Sequence, residues 1–514
     1  MSVFRESSVI VIESSKRYIR AGVGVSDFLH VPTLEVPARV GLRKNPSTSR
    51  IENGTETHNG AASRLGKEED IEMSNGYQNG KLSSKTTTKY ISRPCRQLGI
   101  LPDAKVSDYL VGQQLDDALA AKENVEVYWP LDDGDDIRSW PQVEALWKYV
   151  LFNRLGLRRK QNESPVALCV PCYPRETHEL LAQLFFERFN VAAFMLVERP
   201  LMQTYAVNLL YGVVVDVSYS DTTITPVVES LIQYNNTMHI DVGMKECEIY
   251  LTNILRSQQA LVAAISENET FTEEQLQAEL LDLTRQIWRD GLVKVPSDGE
   301  TAQTEDEEGV TDIAALLVAG KEKAAIEAGT KRKLTAKQTQ AERERERELA
   351  QLDLIQVEFK GKTLTLGRER HRFCEPLFDP TLLNLLPLVQ NNPLVDRVLS
   401  LQEGVHMAVA SLPYAYRYHV WSGIFVTGLG PALLSRLHPY LLTDPNGHKY
   451  GRILNVPEYF GDYRDKGNGL AAFLGASIVA KVAFNEPTSK NFLSKAEYGL
   501  LGPRAILEFS PAVY

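Results

Sequence analysis

Two carboxylates at the ends of apolar runs are the first residues here with chemistry to offer. Asp216 follows Val213, Val214 and Val215 in "GVVVDVSYSDTTITPVVES", residues 212–230. Glu13 follows an equally apolar run in "SSVIVIESSKRYIRAGVGV", residues 7–25. Each stretch reads as a strand, an acidic residue, a short polar turn and a second β-rich strand. A tight strand-to-strand turn can face a phosphate. Such a turn usually takes glycine, for positive φ and close backbone approach. The turn Ser218-Tyr219-Ser220-Asp221 has no glycine. From the residues alone it is an ordinary hairpin, a phosphate loop of another kind, or a phosphate loop that has lost its ligand.

These two stretches must be positioned by a larger frame. A chain of 514 residues exceeds one compact core, so two or more domains are expected. The net charge of −10 argues against a general nucleic-acid coat and leaves room only for a local basic patch. No run of about twenty apolar residues suggests a membrane span, and the N-terminus lacks a secretory apolar core. Five scattered cysteines suggest a reducing compartment. Cys169 and Cys172 form a CxxC, but without a second pair it reads as a strand end, not a zinc site.

Along the chain, residues 3–40 read as strands. Residues 41–95 shift to Asn, Ser, Thr, Gly and Lys and are expected to be a disordered insertion. "SWPQVEALWKYVLFNRLGL" and "RETHELLAQLFFERFNV" carry helical apolar spacing, and "PVALCVP" is a strand. At residue 212 the chain opens a second time with the pattern of residues 7–25, so an internal duplication is expected. Residues 267–352 read as helical and charged, ending in "KLTAKQTQAERERERELAQLD". After β-rich "LIQVEFKGKTLTLG", residues 373–514 are mixed, with the strand "GIFVTGLG" and the glycine-spaced helix "GLAAFLGASIVAKVAF".

Five stretches, in order, resemble actin and the actin-related proteins. They are "VYWPLDDGDDIRSWPQVEALWKYVLFNRL", "PVALCVPCYPRETHELLAQLFFERFNVAAF", "MHIDVGMKECEIYLTNIL", "VEFKGKTLTLGRERHRFCEPLFDP" and "FLGASIVAKVAF…FLSKAEYGLLGP". The resemblance implies an α/β fold of the actin, Hsp70 and sugar-kinase kind. That fold is a duplicated, ribonuclease-H-like, two-lobed architecture with insertions. It implies a first lobe from 1–40, 96–211 and 480–514, with the 41–95 insertion in its smaller part. The second lobe would take 212–245 and 373–479. Residues 246–372 would form its smaller part, with a charged helical insertion at about 300–352.

The resemblance also gives each turn an expected content. Active members have glycine-rich turns whose amides cradle phosphates, and strand-end aspartates that hold Mg²⁺ through water. Here the first turn reads Glu13-Ser14-Ser15-Lys16-Arg17, and Arg20 stands where the family has a phosphate-contacting lysine. The second reads Asp216-Val217-Ser218-Tyr219-Ser220, keeping the first aspartate and replacing the second by Tyr219. Thr223 takes the place of the hydrolytic histidine, and Arg199 that of the water-positioning glutamine. Gly428-Leu429-Gly430 keeps part of the adenosine-side Gly-Gly-Thr. Side chains on Ser15, Ser218 and Ser220 push the backbone away from a phosphate, and nothing orients an attacking water. The expectation is a pseudo-ATPase with no catalytic residue, no metal and no required cofactor. Weak ATP binding through Lys16, Arg17 and Arg20 is the counter-reading.

Within the family, the altered turns, the charged insertion and the N-terminal "SVFRESSVIVI" resemble a fungal nuclear branch. Its members are subunits of SWI/SNF and RSC chromatin remodellers. That likeness implies a nuclear scaffold paired with a second actin-related protein, the two clasping the long HSA helix of the remodeller ATPase. Other remodeller subunits would be partners, with no membrane and no direct DNA contact indicated. The helix would sit in a groove lined by Tyr205, Leu210, Val479, Val482 and Phe484. A working ATPase, a sugar kinase or a filament-forming protein is the alternative.

Overall fold

The structure is a computed structural model. It describes residues 4–26, 31–44, 104–132, 136–266, 271–293, 353–385, 398–421, 423–428, 453–465, 467–486 and 491–509. Most of the 41–95 segment, the charged stretch at 300–352, Leu429 and Gly430 lie outside the described residues. The chain divides into two compact units, residues 1–38 with 150–514, and residues 39–149.

The first unit opens with strands β1 (Ile10–Ser14), β2 (Tyr18–Val23) and β3 (Leu34–Pro37). The second unit holds β4 (Val40–Arg43), β5 (Tyr109–Val111) and β6 (Val125–Tyr128), with helices α1 (Gln113–Ala120) and α2 (Trp140–Lys148). Strand β4 is central in its sheet and runs past residue 41, where the insertion was expected to begin. The shift in composition starts before the backbone leaves its ladder.

The first unit resumes with β7 (Pro165–Val170), α3 (Arg175–Gln183), β8 (Ala193–Glu198) and α4 (Arg199–Ala206). It continues with β9 (Gly212–Val217), β10 (Thr222–Val228), β11 (Leu231–Ile232) and β12 (Met238–Ile240). Then come α5 (Met244–Arg256), α6 (Gln259–Ile265), α7 (Glu273–Arg289) and the hairpin β13 (Ile355–Phe359) and β14 (Lys362–Leu366). The last strands are β15 (Ile424–Thr427), β16 (Ile453–Leu454) and β17 (Leu493–Ser494).

The duplication is explicit in the ladders. One sheet runs β17-β8-β7-β1-β2-β3, and the other runs β11-β10-β9-β15-β16 with β12 also on β10. In each, an antiparallel hairpin has a parallel strand on the far side of its first strand, and a further parallel strand beyond that. Residues correspond through the register. Glu13 sits opposite Arg20 and beside Cys169; Asp216 sits opposite Thr223 and beside Thr427. β1, β7 and β8 are buried throughout, so they read as continuous apolar runs and not as alternating ones.

Helix Ala471–Asn485 packs on α4. At Gly475 a Cβ would lie 1.9 Å from the Met202 carbonyl oxygen, so only glycine permits this approach. The stretch Asn468–Asn485 is long and apolar enough to cross a membrane, with a mean hydropathy of 1.3, but 67% of it is buried inside the protein. It is a core helix.

Candidate functional site

The site is built at the ends of β1 and β9, where the two hairpin turns begin. Glu13 is fully buried. A buried carboxylate must be paired or hydrogen-bonded, and its partners are two arginines. Arg199 Nη1 donates to Glu13 Oε1 at 2.8 Å, and Arg20 Nη1 lies 3.4 Å from Glu13 Oε2. Arg20 continues outward, with Nε on Glu35 Oε2 at 2.7 Å and Nη1 on the Gly469 carbonyl at 2.8 Å.

Arg199 is the first residue of α4, immediately after β8. Its other face meets Asp216. Nε donates to Oδ2 at 3.2 Å and Nη2 to Oδ1 at 3.3 Å. One guanidinium therefore bridges the strand-end carboxylates of both repeats. Burial opposes its charge, but Asp216 and then Glu13 outweigh burial and hold its pKa above the ordinary arginine value. Asp216 also accepts from Thr427 Oγ1 at 2.9 Å, and Thr427 Oγ1 in turn accepts from Gln203 Nε2 at 3.1 Å. Each carboxylate is thus engaged by two donors.

The turns themselves are joined. Lys16 Nζ lies 2.5 Å from Asp221 Oδ1 and 3.5 Å from Ser220 Oγ, and both side chains of the ion pair are largely buried. The Arg17 guanidinium lies 3.5 Å from the centroid of the Tyr219 ring, in cation–π contact. Tyr219 Oη donates to Glu248 at 3.2 Å and accepts from Arg285 at 3.4 Å, and Arg285 pairs with Glu248 at 3.1 Å. Burial, then Glu248, raises the Tyr219 pKa, so it stays a neutral phenol.

The turn backbones are also committed within the chain. Ser15 N and Oγ both donate to the Tyr18 carbonyl, at 2.9 and 2.8 Å. Ser218 N donates to the Asp221 carbonyl at 2.8 Å. The first amides of α5, Met244 and Lys245, donate to the carbonyls of Ser218 and Tyr219 at 3.1 and 2.9 Å. Gly428 has φ +90°, and a Cβ there would lie 1.9 Å from the Val217 carbonyl oxygen. The glycine is needed for close packing of the strand end whatever the cleft holds.

The structure thus gathers Glu13, Arg20, Arg199 and Asp216 into one cluster, joins Lys16 to Asp221 and Ser220, and sets Arg17 on Tyr219. Ser14 is buried at the end of β1, and Thr223 lies opposite Asp216 in the β9–β10 register. Asp221, Glu35, Glu248, Arg285, Thr427 and Gln203 complete these sets and are not singled out by sequence reasoning. Asp221 is the last residue of the quoted turn and Thr427 is readable from strand alignment; the remainder carry no local signal.

Of the expected groove residues, Leu210 and Val482 are exposed, at 61% and 59%, while Tyr205 and Val479 are half-buried. Phe484 corrects the expectation. It is 1% exposed, with its ring 5.8 Å from that of Phe4 and 5.1 Å from that of Phe492. It belongs to the core and lines no groove, because helix Ala471–Asn485 is apolar on most of its circumference and its pattern does not mark an outer face.

Known proteins resemble the chain in sequence. The chain is similar to the SWI/SNF and RSC complexes subunit arp9 of Schizosaccharomyces pombe, 26% identical over an alignment 557 positions long, gaps included, that covers 98% of this chain and 99% of that protein. It is also similar to actin-related protein 7 of Arabidopsis thaliana, 29% identical over 140 residues, 27% of this chain and 38% of that one. The family description "Actin" matches residues 4–508. With its doubled hairpin sheets and with a family match that spans nearly its whole length, the chain belongs to the actin family.

Proposed function

We propose that this protein is a non-catalytic, nuclear, actin-related subunit of a SWI/SNF- or RSC-type chromatin-remodelling complex. The observation that carries the reading is end-to-end likeness to a relative named for those complexes, covering 98% of this chain and 99% of the relative. In this role the protein pairs with a second actin-related protein, and the two hold the HSA helix of the remodeller ATPase. Leu210 and Val482 offer exposed apolar area for such a helix, and Tyr205 and Val479 are half-buried.

The non-catalytic part rests on side-chain chemistry. ATP hydrolysis needs a group that orients water and carboxylates free to hold a hydrated metal. Arg199 cannot accept a proton from water, and Thr223 supplies no base. The cations that could attract phosphates, Lys16, Arg17 and Arg20, already face Asp221, Tyr219 and Glu13.

Affinity capture of the tagged full chain from nuclear extract, followed by mass spectrometry, tests the assignment. Stoichiometric recovery of a remodeller ATPase and a second actin-related protein is expected; recovery without either overturns it. Tyr205→Ala with Val482→Asp is expected to abolish HSA-peptide binding while leaving the fold intact. Precipitating the purified protein and assaying the supernatant for adenine nucleotide tests the rest. Stoichiometric ATP or ADP there would favour the ATPase alternative.

A further inference from the structure

In the actin family a nucleotide and its divalent cation sit between the two hairpins, and the residues present here do not fit that pair. A divalent cation held through water needs carboxylate oxygens that are free, with no positive charge close by. Glu13 and Asp216 instead share a guanidinium within 2.8–3.3 Å. A phosphate would need the turn amides or the turn cations, and Lys16 and Arg17 are directed across the gap at Asp221 and Tyr219.

Among the described residues, three cations of the first repeat therefore reach side chains of the second as cross-ties. Arg199 reaches Asp216, Lys16 reaches Asp221, and Arg17 reaches Tyr219. Within the cluster two cations face three carboxylates. Arg199 and Arg20 face Glu13, Asp216 and Glu35, with Glu35 half exposed to water.

We infer that Arg199 is a built-in counter-cation that does the electrostatic work of a metal ion between the two repeats, so that their attachment is independent of nucleotide and of divalent cations. This deepens the non-catalytic reading and rests on it. Two carboxylates brought together without a cation repel, and either take up a proton or recruit a cation from solution. Removing Arg199 should therefore create the metal dependence that the natural protein lacks.

The test is thermal unfolding of the purified full chain with EDTA, with MgCl₂ or CaCl₂, and with ADP. The natural protein is expected to unfold at one temperature in all of these. Arg199→Gln is expected to unfold roughly 5–10 °C lower in EDTA and to recover part of that loss, saturably, as Ca²⁺ or Mg²⁺ is added. In Glu13→Gln/Arg199→Gln the like-charged pair is gone. The double variant should be more stable than the single in EDTA and should not respond to divalent cations. If Arg199→Gln is too unstable to purify, the soluble yield of the double variant against the single decides.

A single variant with no divalent response, or a double variant no more stable than the single, overturns the inference. Neither result touches the non-catalytic reading, which falls instead if the natural protein carries or hydrolyses nucleotide.

Discussion

The two hairpins are copies in topology and opposites in charge. In both, the first strand pairs antiparallel with the second and parallel with a later strand, and a carboxylate occupies the same register position. In the first copy the turn carries Lys16 and Arg17, and position 20, opposite the carboxylate, is arginine. In the second the turn carries Tyr219 and Asp221, and the matching position is Thr223. Two copies that once had the same task toward a shared ligand would need similar turns. Turns of opposite character suit a different task, which is to bind each other.

This contrast can be broken at graded cost. The largest effect is expected for Arg199→Ala, which takes the shared guanidinium from two carboxylates, one of them fully buried. Loss of one partner from a buried ionic network costs about 3–5 kcal/mol, to be read from the midpoint of urea unfolding. Next is the neighbour of Arg199. Burial raises Glu198 to about 8, against the lowering effect of the Tyr234 hydroxyl. Its folded pKa lies above its unfolded value, so its contribution is full below about pH 4.5 and is lost as pH rises toward 8. Glu198→Gln should therefore unfold at a higher temperature than the natural protein at pH 8.5, with the advantage shrinking to nothing near pH 5.

Charge exchange across the turns tests complementarity directly. Lys16→Asp should cost about 1–3 kcal/mol, because it sets two mostly buried carboxylates together. Lys16→Asp with Asp221→Lys should recover much of that loss, and a double-mutant cycle measures the coupling. A cycle with no coupling would mean that the turns are merely adjacent. Tyr219→Leu removes the ring beneath Arg17 and should cost about 0.5–2 kcal/mol. The smallest effect is expected at Thr223. Its counterpart Arg20 anchors Glu13, but Thr223→Val should change stability by less than about 0.5 kcal/mol.

The duplication was readable in the sequence because each half opens with an apolar run ending in one carboxylate. The turn residues were readable too, since glycine is the residue type whose absence has the clearest conformational meaning. Which cation meets which anion was not. Lys16 and Asp221 are 205 residues apart, and only the packed sheets bring them together. Arg199 stood out as a substitution at a water-positioning place, but its role as a bridge needed both carboxylates in view. Helix Ala471–Asn485 was readable as a helix and not as a face, which is why Phe484 was misplaced. Composition blurred the start of the insertion by a few residues, since β4 keeps its ladder through Gly41 and an exposed Arg43.

The cross-ties differ from a bound ligand in one further respect. A small molecule that leaves a cleft is diluted into solvent, and its return depends on how much of it the surroundings contain. Lys16, Arg17 and Arg199 are tethered to the backbone that they bridge. When one of them opens it remains at a high effective concentration beside its partner, so dialysis, dilution or starvation for nucleotide cannot deplete it. The junction between the repeats is as persistent in a dilute extract as in a crowded cell.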